Sequence, residues 1–206
     1  MSILYLGIDA PEGVFHYPVI RTEKIESPQL MQALTIQDRF THLIFTSKNG
    51  VRHWHESGGT FSGTAIAIGN ATAEKLFQLG AAALIAPNAT QEGVIALLET
   101  MPLENAFLFY PRSKLARPCL ANYLHKRSVP ACIFDLYDTV FQKIEPVPDL
   151  NLFDEIVFTS PSTVDGFLRI FEKLPRDKKL TAIGPITHQA IVRTYCREAV
   201  LKPDLV

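Results

Sequence analysis

The chain repeats itself once. His42–Trp54 reads HLIFTSKNGVRHW and Glu155–Phe167 reads EIVFTSPSTVDGF, so Phe45, Thr46, Ser47 and Val51 fall on Phe158, Thr159, Ser160 and Val164, 113 residues later. Ala67-Ile68-Gly69-Asn70-Ala71-Thr72 falls on Ala182-Ile183-Gly184-Pro185-Ile186-Thr187 at a spacing of 115, and Ala83-Leu84-Ile85-Ala86-Pro87 on Ala199-Val200-Leu201-Lys202-Pro203 at 116. Three ordered matches at a nearly constant spacing leave few architectures open. The period is far too long for a solenoid, whose units run to about 20–50 residues. It fits two similar domains.

The content of each copy sets the fold class. Short apolar runs rich in β-branched and aromatic residues occur at Ile3–Leu6, His42–Phe45, Ala65–Ile68, Ala82–Ile85, Ala106–Phe109, Ile156–Phe158, Leu180–Ile183 and Ala199–Leu201. Between several of them apolar residues recur at helical spacing. Thr72–Leu79 is closed by Gly80 at a C′ position, Leu115–Leu124 carries Pro118 in its first turn, and Ala89–Leu98 has Thr90 or Asn88 as N-cap. Strand and helix in alternation predict an α/β fold with parallel sheets. Tyr17–Glu23 and Tyr137–Lys143 alternate apolar and polar residues as half-exposed strands do, and each sits at a boundary of the first repeat. A two-crossover linker between the domains accounts for both.

Composition removes several function classes. Formal net charge is −1, so no global positive field exists to hold nucleic acid or an anionic membrane, and an anionic ligand must be held by local donors. Cys119, Cys132 and Cys196 are odd in number and form no C-x-x-C, which reads as reduced thiols in a cytoplasmic protein. The opening MSILYLGID has no basic region and reads as a first strand rather than a signal peptide. No apolar run approaches the roughly 18 residues of a membrane helix.

The repeated segments carry the candidate chemistry. Phe-Thr-Ser stands at a strand end before a helix, where Thr46, Ser47 and Ser160 either cap the helix and nothing more or also leave backbone N–H groups for a carboxylate or phosphate. Two copies at matched positions favour a shared ligand cleft, because open α/β sheets bind ligands beyond their strand C-terminal ends. Ile-Gly-Asn-Ala-Thr and Ile-Gly-Pro-Ile-Thr offer the same geometry, with Gly69 and Gly184 at the turns and Thr72 and Thr187 starting the next helices. Arg112 follows another strand and is either a solvated loop arginine or a bidentate clamp on a carboxylate. Tyr137 is either an ordinary amphipathic strand residue or, in a cleft, a phenol able to donate a proton. His53 and His55 do not share a helix face, so a metal site there is not expected. No dinucleotide, P-loop or nucleophile-elbow motif occurs.

Taken in order, LIFTSKNGV, AIGNATAEKL, the Arg112 segment, LYDTV, IVFTSPSTV and AIGPITHQAI resemble the signature of uroporphyrinogen-III synthases, over about Leu43 to Ile191. The resemblance implies two α/β domains joined by a two-stranded β-ladder. One is discontinuous (1–19 plus 144–206), one is inserted (27–134), and the linker strands are about 20–26 and 135–143. It implies a cytoplasmic, monomeric, cofactor-free lyase of haem biosynthesis. Such an enzyme closes hydroxymethylbilane, a linear tetrapyrrole with eight carboxylates, into uroporphyrinogen III with ring D inverted. The substrate would be handed over by the preceding pathway enzyme, with neither nucleic acid nor membrane involved. Hydroxide leaves the ring-A hydroxymethyl group, ring D attacks to form a spiro-pyrrolenine, and fragmentation with recombination inverts that ring.

Carried over by position, Tyr137 matches the family's important tyrosine and would assist hydroxide departure. Thr46, Ser47, Asn49, Gly69, Asn70, Thr72, Arg112, Ser113, Ser160, Pro161, Ser162, Gly184, Ile186 and Thr187 would bind substrate, and no residue would bind metal. The chain departs from the pattern at both ends. Family members begin with a strand ending in Thr-Arg and then a helix, whereas here Tyr5-Leu6-Gly7-Ile8-Asp9 leads to Tyr17-Pro18 with too few residues for that helix. The helix that follows Pro87 has no counterpart after Pro203. The alternative these departures support is a noncatalytic tetrapyrrole- or anion-binding homologue.

Overall fold

The structure is a computed structural model and describes residues 2–202. The final proline of the third repeat match, Pro203, and the segment after it lie outside the described residues, as does the expectation that no helix follows there.

In chain order the elements are β1 (Ile3–Tyr5), β2 (Phe15–His16), β3 (Ile20–Lys24), α1 (Pro28–Thr35), β4 (His42–Phe45), α2 (Lys48–Glu56), β5 (Thr64–Ala67), α3 (Asn70–Gln78), β6 (Ala83–Ile85), α4 (Gln91–Leu98), β7 (Leu108–Ser113), α5 (Cys119–Lys126), β8 (Ala131–Phe141), β9 (Glu155–Phe158), α6 (Pro161–Phe171), β10 (Lys179–Ala182), α7 (Pro185–Tyr195) and β11 (Val200–Leu201). The fold is α/β with parallel-strand sheets. β4-α2-β5-α3-β6 and β9-α6-β10-α7-β11 are the two copies of the repeat. Two compact units result: one is Thr22–Asp138, and the other takes the chain up to Arg21 and from Thr139 onward.

The Thr22–Asp138 unit is organised by its sheet, whose order is β3-β8-β7-β4-β5-β6. β8 through β6 are parallel. Side chains alternate across a strand, so each strand feeds two cores. Leu43, Phe45, Ala65, Ala67 and Phe109 enter one with Trp54 and Leu76; Ile44, Ile66, Leu108 and Tyr110 enter the other with Val94, Leu120 and Leu124. Burial on both faces is the physical reason these strands read as unbroken apolar runs. Gly80, at φ +82°, closes α3 as expected.

Several boundaries differ from the sequence reading, among them that of the Tyr17–Glu23 run, where β3 begins only at Ile20. β7 runs on to Ser113 through Pro111, because its pairing with β4 ends at Phe109 and a proline beyond that point removes no ladder bond on that side. α5 starts at Cys119, with Pro118 as its N-cap, leaving Leu115 exposed. Tyr137 does not open a separate strand. It lies inside the 11-residue β8, whose first half pairs with β7. α1 has no strong periodic signature, but Ser27 caps it and Pro28 occupies its first turn.

The other unit has the sheet β11-β10-β9-β1-β2, all parallel. Leu4, Leu6, Ile156, Phe158, Leu180 and Ala182 form its core with Val164, Phe167 and Ile191 of the helices. No helix stands between β1 and β2. At the strand N-terminal edge Glu155 is fully buried, held by the Thr181 hydroxyl and by Lys179 and Lys202.

Candidate active site

Parallel strands place every strand C-terminus on one edge. In the Thr22–Asp138 unit that edge carries Thr46 and Ser47 after β4, Gly69 and Asn70 after β5, Arg112 and Ser113 at the end of β7, and Tyr137 in β8. The chain runs β4 to β5 to β6 on one side and returns to β7 on the other. The strand order therefore reverses between β4 and β7, where open sheets leave a crevice. Topology alone thus gathers the predicted residues of this unit.

A break in register sets the position of Tyr137. Arg112 pairs with Asp135 and Ser113 with Tyr137, so β8 carries an extra residue at Leu136. In a regular strand Leu136 and Tyr137 would face opposite ways; here both join the same core as Phe134. The phenol is thereby turned inward, 5% exposed, and its oxygen lies 2.6 Å from Ser47 Oγ. Burial raises its pKa above the usual tyrosine value, against smaller pulls from the Ser47 and Ser113 hydroxyls and from Arg52.

Ser47 has a second duty. It is the N-cap of α2, accepting the Gly50 N–H at 3.0 Å. Burial raises the pKa of the Tyr110 phenol, and the hydroxyl of Thr46, beside Ser47, opposes that rise. Asn49 is half-buried in the first turn of α2. Arg112 donates from Nε to Asp135 Oδ1 at 2.8 Å, so the first carboxylate it meets is the protein's own. Behind Tyr137, His53 stacks on its ring and contacts Thr22 Oγ1 at 2.9 Å, while Arg52 donates to that same oxygen at 2.8 Å. Thr22, Arg52, His53 and Asp135 were not singled out as site residues by the sequence. They come from β3, the second turn of α2 and the bulged part of β8, and no motif links them.

The glycine-capped helices differ from the serine-capped ones. Gly69 and Gly184 are the N-caps of α3 and α7, with no side-chain cap bond, and Asn70 and Ile186 stand exposed in those first turns. Thr72 and Thr187 do not start these helices. They lie at the third helical position and are buried at 4% and 3% exposure, because the helices begin at Asn70 and Pro185.

In the unit formed by the chain ends, Ser160 caps α6 by a reciprocal capping box with Thr163, with Pro161 and Ser162 filling the first turn. Gly7 faces this turn: a Cβ there would stand 2.5 Å from Thr159 Cγ2. The two copies of the repeat thus share one local plan, a serine-capped helix followed by a glycine-capped one.

Other features lie elsewhere. An open depression of about 410 Å³ lined by Arg39, Thr41, Glu104, Asn105, Ala106, Phe107 and Pro130 is at the opposite, N-terminal edge of the sheet and holds none of the predicted residues. Among the described residues no cluster of His, Cys, Asp or Glu has the makings of a metal site, and no helix is long and apolar enough to cross a membrane.

Parallel sheets with repeated, capped helix starts at their strand C-terminal edges define an α/β protein with the backbone N–H groups of its helix starts along those edges. A sequence model of uroporphyrinogen-III synthase HemD matches residues 12–203. The chain belongs to the uroporphyrinogen-III synthase family, and it is accordingly a cyclising lyase of porphyrin biosynthesis. The crystal structure of uroporphyrinogen-III synthetase from Helicobacter pylori has the same fold, with a TM-score of 0.72 at 18% identity, covering 99% of this chain and 94% of that one. A mutant uroporphyrinogen III synthase from Thermus thermophilus gives a TM-score of 0.62 at 19% identity over 98% of this chain and 93% of that one. A further structure of the Thermus thermophilus enzyme gives 0.53 at 19% identity over 100% and 94%. No curated protein sequence matches the chain.

Proposed function

We propose that the chain closes hydroxymethylbilane into uroporphyrinogen III, using Tyr137 as the acid for hydroxide departure and the helix starts as carboxylate grips. The observation that carries this reading is the repeat. Both copies end a strand in Thr-Ser before a helix and start the next helix after Ile-Gly, so amide-bearing turns recur at matched positions. A flexible anion with eight carboxylates suits such a set of grips. The bilane closes unaided to the uninverted isomer, so the enzyme's task is to fix its conformation, and oriented N–H groups at helix starts do that at defined angles.

Thr46, Ser47, Asn49, Gly69, Asn70, Thr72, Arg112, Ser113, Ser160, Pro161, Ser162, Gly184, Ile186 and Thr187 form the binding set in this proposal. Arg112 joins it by exchanging Asp135 for a substrate carboxylate. The phenol of Tyr137 is held protonated by burial, the state a donor requires. β3 and β8 serve as the two-stranded ladder by which the chain passes between its units. The protein works as a cytoplasmic monomer and takes its substrate from the preceding enzyme.

Fresh hydroxymethylbilane and the wild-type protein test the reading. Oxidised products rich in type III porphyrin support it, and type I alone refutes it in favour of the noncatalytic homologue. Tyr137→Phe is expected to lower type III formation by about 10²-fold, the usual scale of a positioned proton donor. An unchanged rate would remove the donor role.

A further inference from the structure

Tyr137 is 5% exposed, so its phenol offers a departing oxygen little direct access. Its hydrogen-bond partner is less covered: Ser47 is half-buried just past the C-terminal end of β4, at the strand-order reversal of its sheet. A hydroxyl has one proton and two acceptor positions. One position on Ser47 Oγ takes the Gly50 N–H at 3.0 Å, and the phenol oxygen of Tyr137 lies 2.6 Å away. When Tyr137 donates into the second position, both acceptor positions are filled and the Ser47 proton is left to point at the ligand.

Resting on the synthase reading above, we propose that Ser47 is the catalytic residue that protonates the leaving oxygen, with Tyr137 behind it as the proton reservoir of a two-hydroxyl relay. The C–O bond of the hydroxymethyl group breaks with its electron pair on oxygen. That oxygen takes the Ser47 proton and leaves as water. Ser47 takes the Tyr137 proton in the same event, so no serine alkoxide forms. The phenolate faces the regenerated Ser47 hydroxyl and lies in the positive field of Arg52. The proton lost when the closed macrocycle regains its last aromatic pyrrole returns along the same path, and the sum is bilane to macrocycle plus one water.

The geometry also assigns the N-cap of α2 its part. The Gly50 N–H anchors Ser47 Oγ, so the relay oxygen does not wander between rotamers. Cap and relay are one atom, and the test must separate them. Asparagine at position 47 retains a cap oxygen, since Asn is as good an N-cap as Ser, but its amide does not relay a proton. Threonine retains both.

The experiment measures the rate of type III formation for wild type, S47A, S47N, S47T, Y137F and S47A/Y137F, with a denaturation curve for each. The relay predicts that S47N folds with near-wild-type stability yet loses about as much rate as Y137F, about 10²-fold. The double variant is then no slower than either single, as for groups acting as a unit, and S47T returns to within a few-fold of wild type. In mixed H2O and D2O the wild-type rate bows downward for two protons in flight, and Y137F gives a straight line. Wild-type rate in S47N alongside a slow Y137F would overturn the relay while leaving Tyr137 as the acid. Losses that multiply in the double variant would overturn it too. Production of type I alone by wild type would instead sink the synthase reading.

Discussion

The imidazole of His53 lies against the phenol ring of Tyr137, ring centroids 5.3 Å apart and planes 29° apart. His53 is 6% exposed, one ring nitrogen meets Thr22 Oγ1, and the other, Nδ1, is buried with no hydrogen bond, its nearest carboxylate being Glu56 at 3.6 Å. Burial lowers its pKa, Arg52 and Lys24 lower it further, and Glu56 opposes them. The ring backing the proposed proton donor is therefore a neutral one.

That neutrality has a pH signature. The unfolded chain protonates this histidine near 6.5, and the folded chain does so only at lower pH. Between those values the unfolded state binds more protons, so stability falls as pH drops below about 6.5. His53→Phe, which retains an aromatic ring against Tyr137, is expected to flatten this part of the profile. Urea denaturation midpoints at intervals from about pH 8 to 5 check it, and an equal slope in the variant would assign the dependence to other groups.

Glu155 gives the opposite sign. Burial pushes its carboxyl up, but hydrogen bonds from Thr181, Lys179 and Lys202 outweigh that and hold it below the usual glutamate value. Its stabilisation is full above the unfolded value near 4.5 and is lost as pH falls through the folded value. Glu155→Gln is expected to cost about 1–3 kcal/mol at neutral pH, discounted because both lysines are partly exposed. The cost should shrink in acid, which paired melts of wild type and variant at about pH 7 and 3.5 will show.

Two glycines separate folding from function. A Cβ on Gly93 would stand 2.1 Å from the Asn88 carbonyl oxygen, so Gly93→Ala must displace backbone and is expected to lower stability by about 2 kcal/mol. A Cβ on Gly184 meets nothing within 4 Å, and its φ of −150° suits any residue. Gly184→Ala should therefore cost at most about 1 kcal/mol, the scale of a lost N-cap preference. If a substrate carboxylate does sit on the α7 turn, the methyl group crowds it, and KM rises several-fold while the melting curve barely moves. An unchanged KM would remove Gly184 from the binding set.

The Tyr137 phenol predicts a flat limb. Burial lifts its pKa above 10, so no loss of type III formation from phenol ionisation is expected between about pH 7 and 9. A pH–rate profile that falls across that range in wild type but not in Y137F would contradict it.

The sequence by itself determined the α/β class, the duplicated plan and the membership of the family. These follow from local rules that repeat: apolar runs too continuous for anything but strands buried on both faces, Thr-Ser caps, and Ile-Gly turns at a fixed spacing. His42–Phe45 and the Gly80 stop were legible for that reason. The tertiary structure alone decided where Tyr137 points. Its strand alternation is ordinary, and only the slipped register between β7 and β8 turns it inward onto Ser47 and against His53. It likewise decided that Thr72 and Thr187 are buried and that Arg112 already holds Asp135. Register, and pairing between residues distant in sequence, depend on the whole set of packing contacts, and no short stretch of chain encodes them.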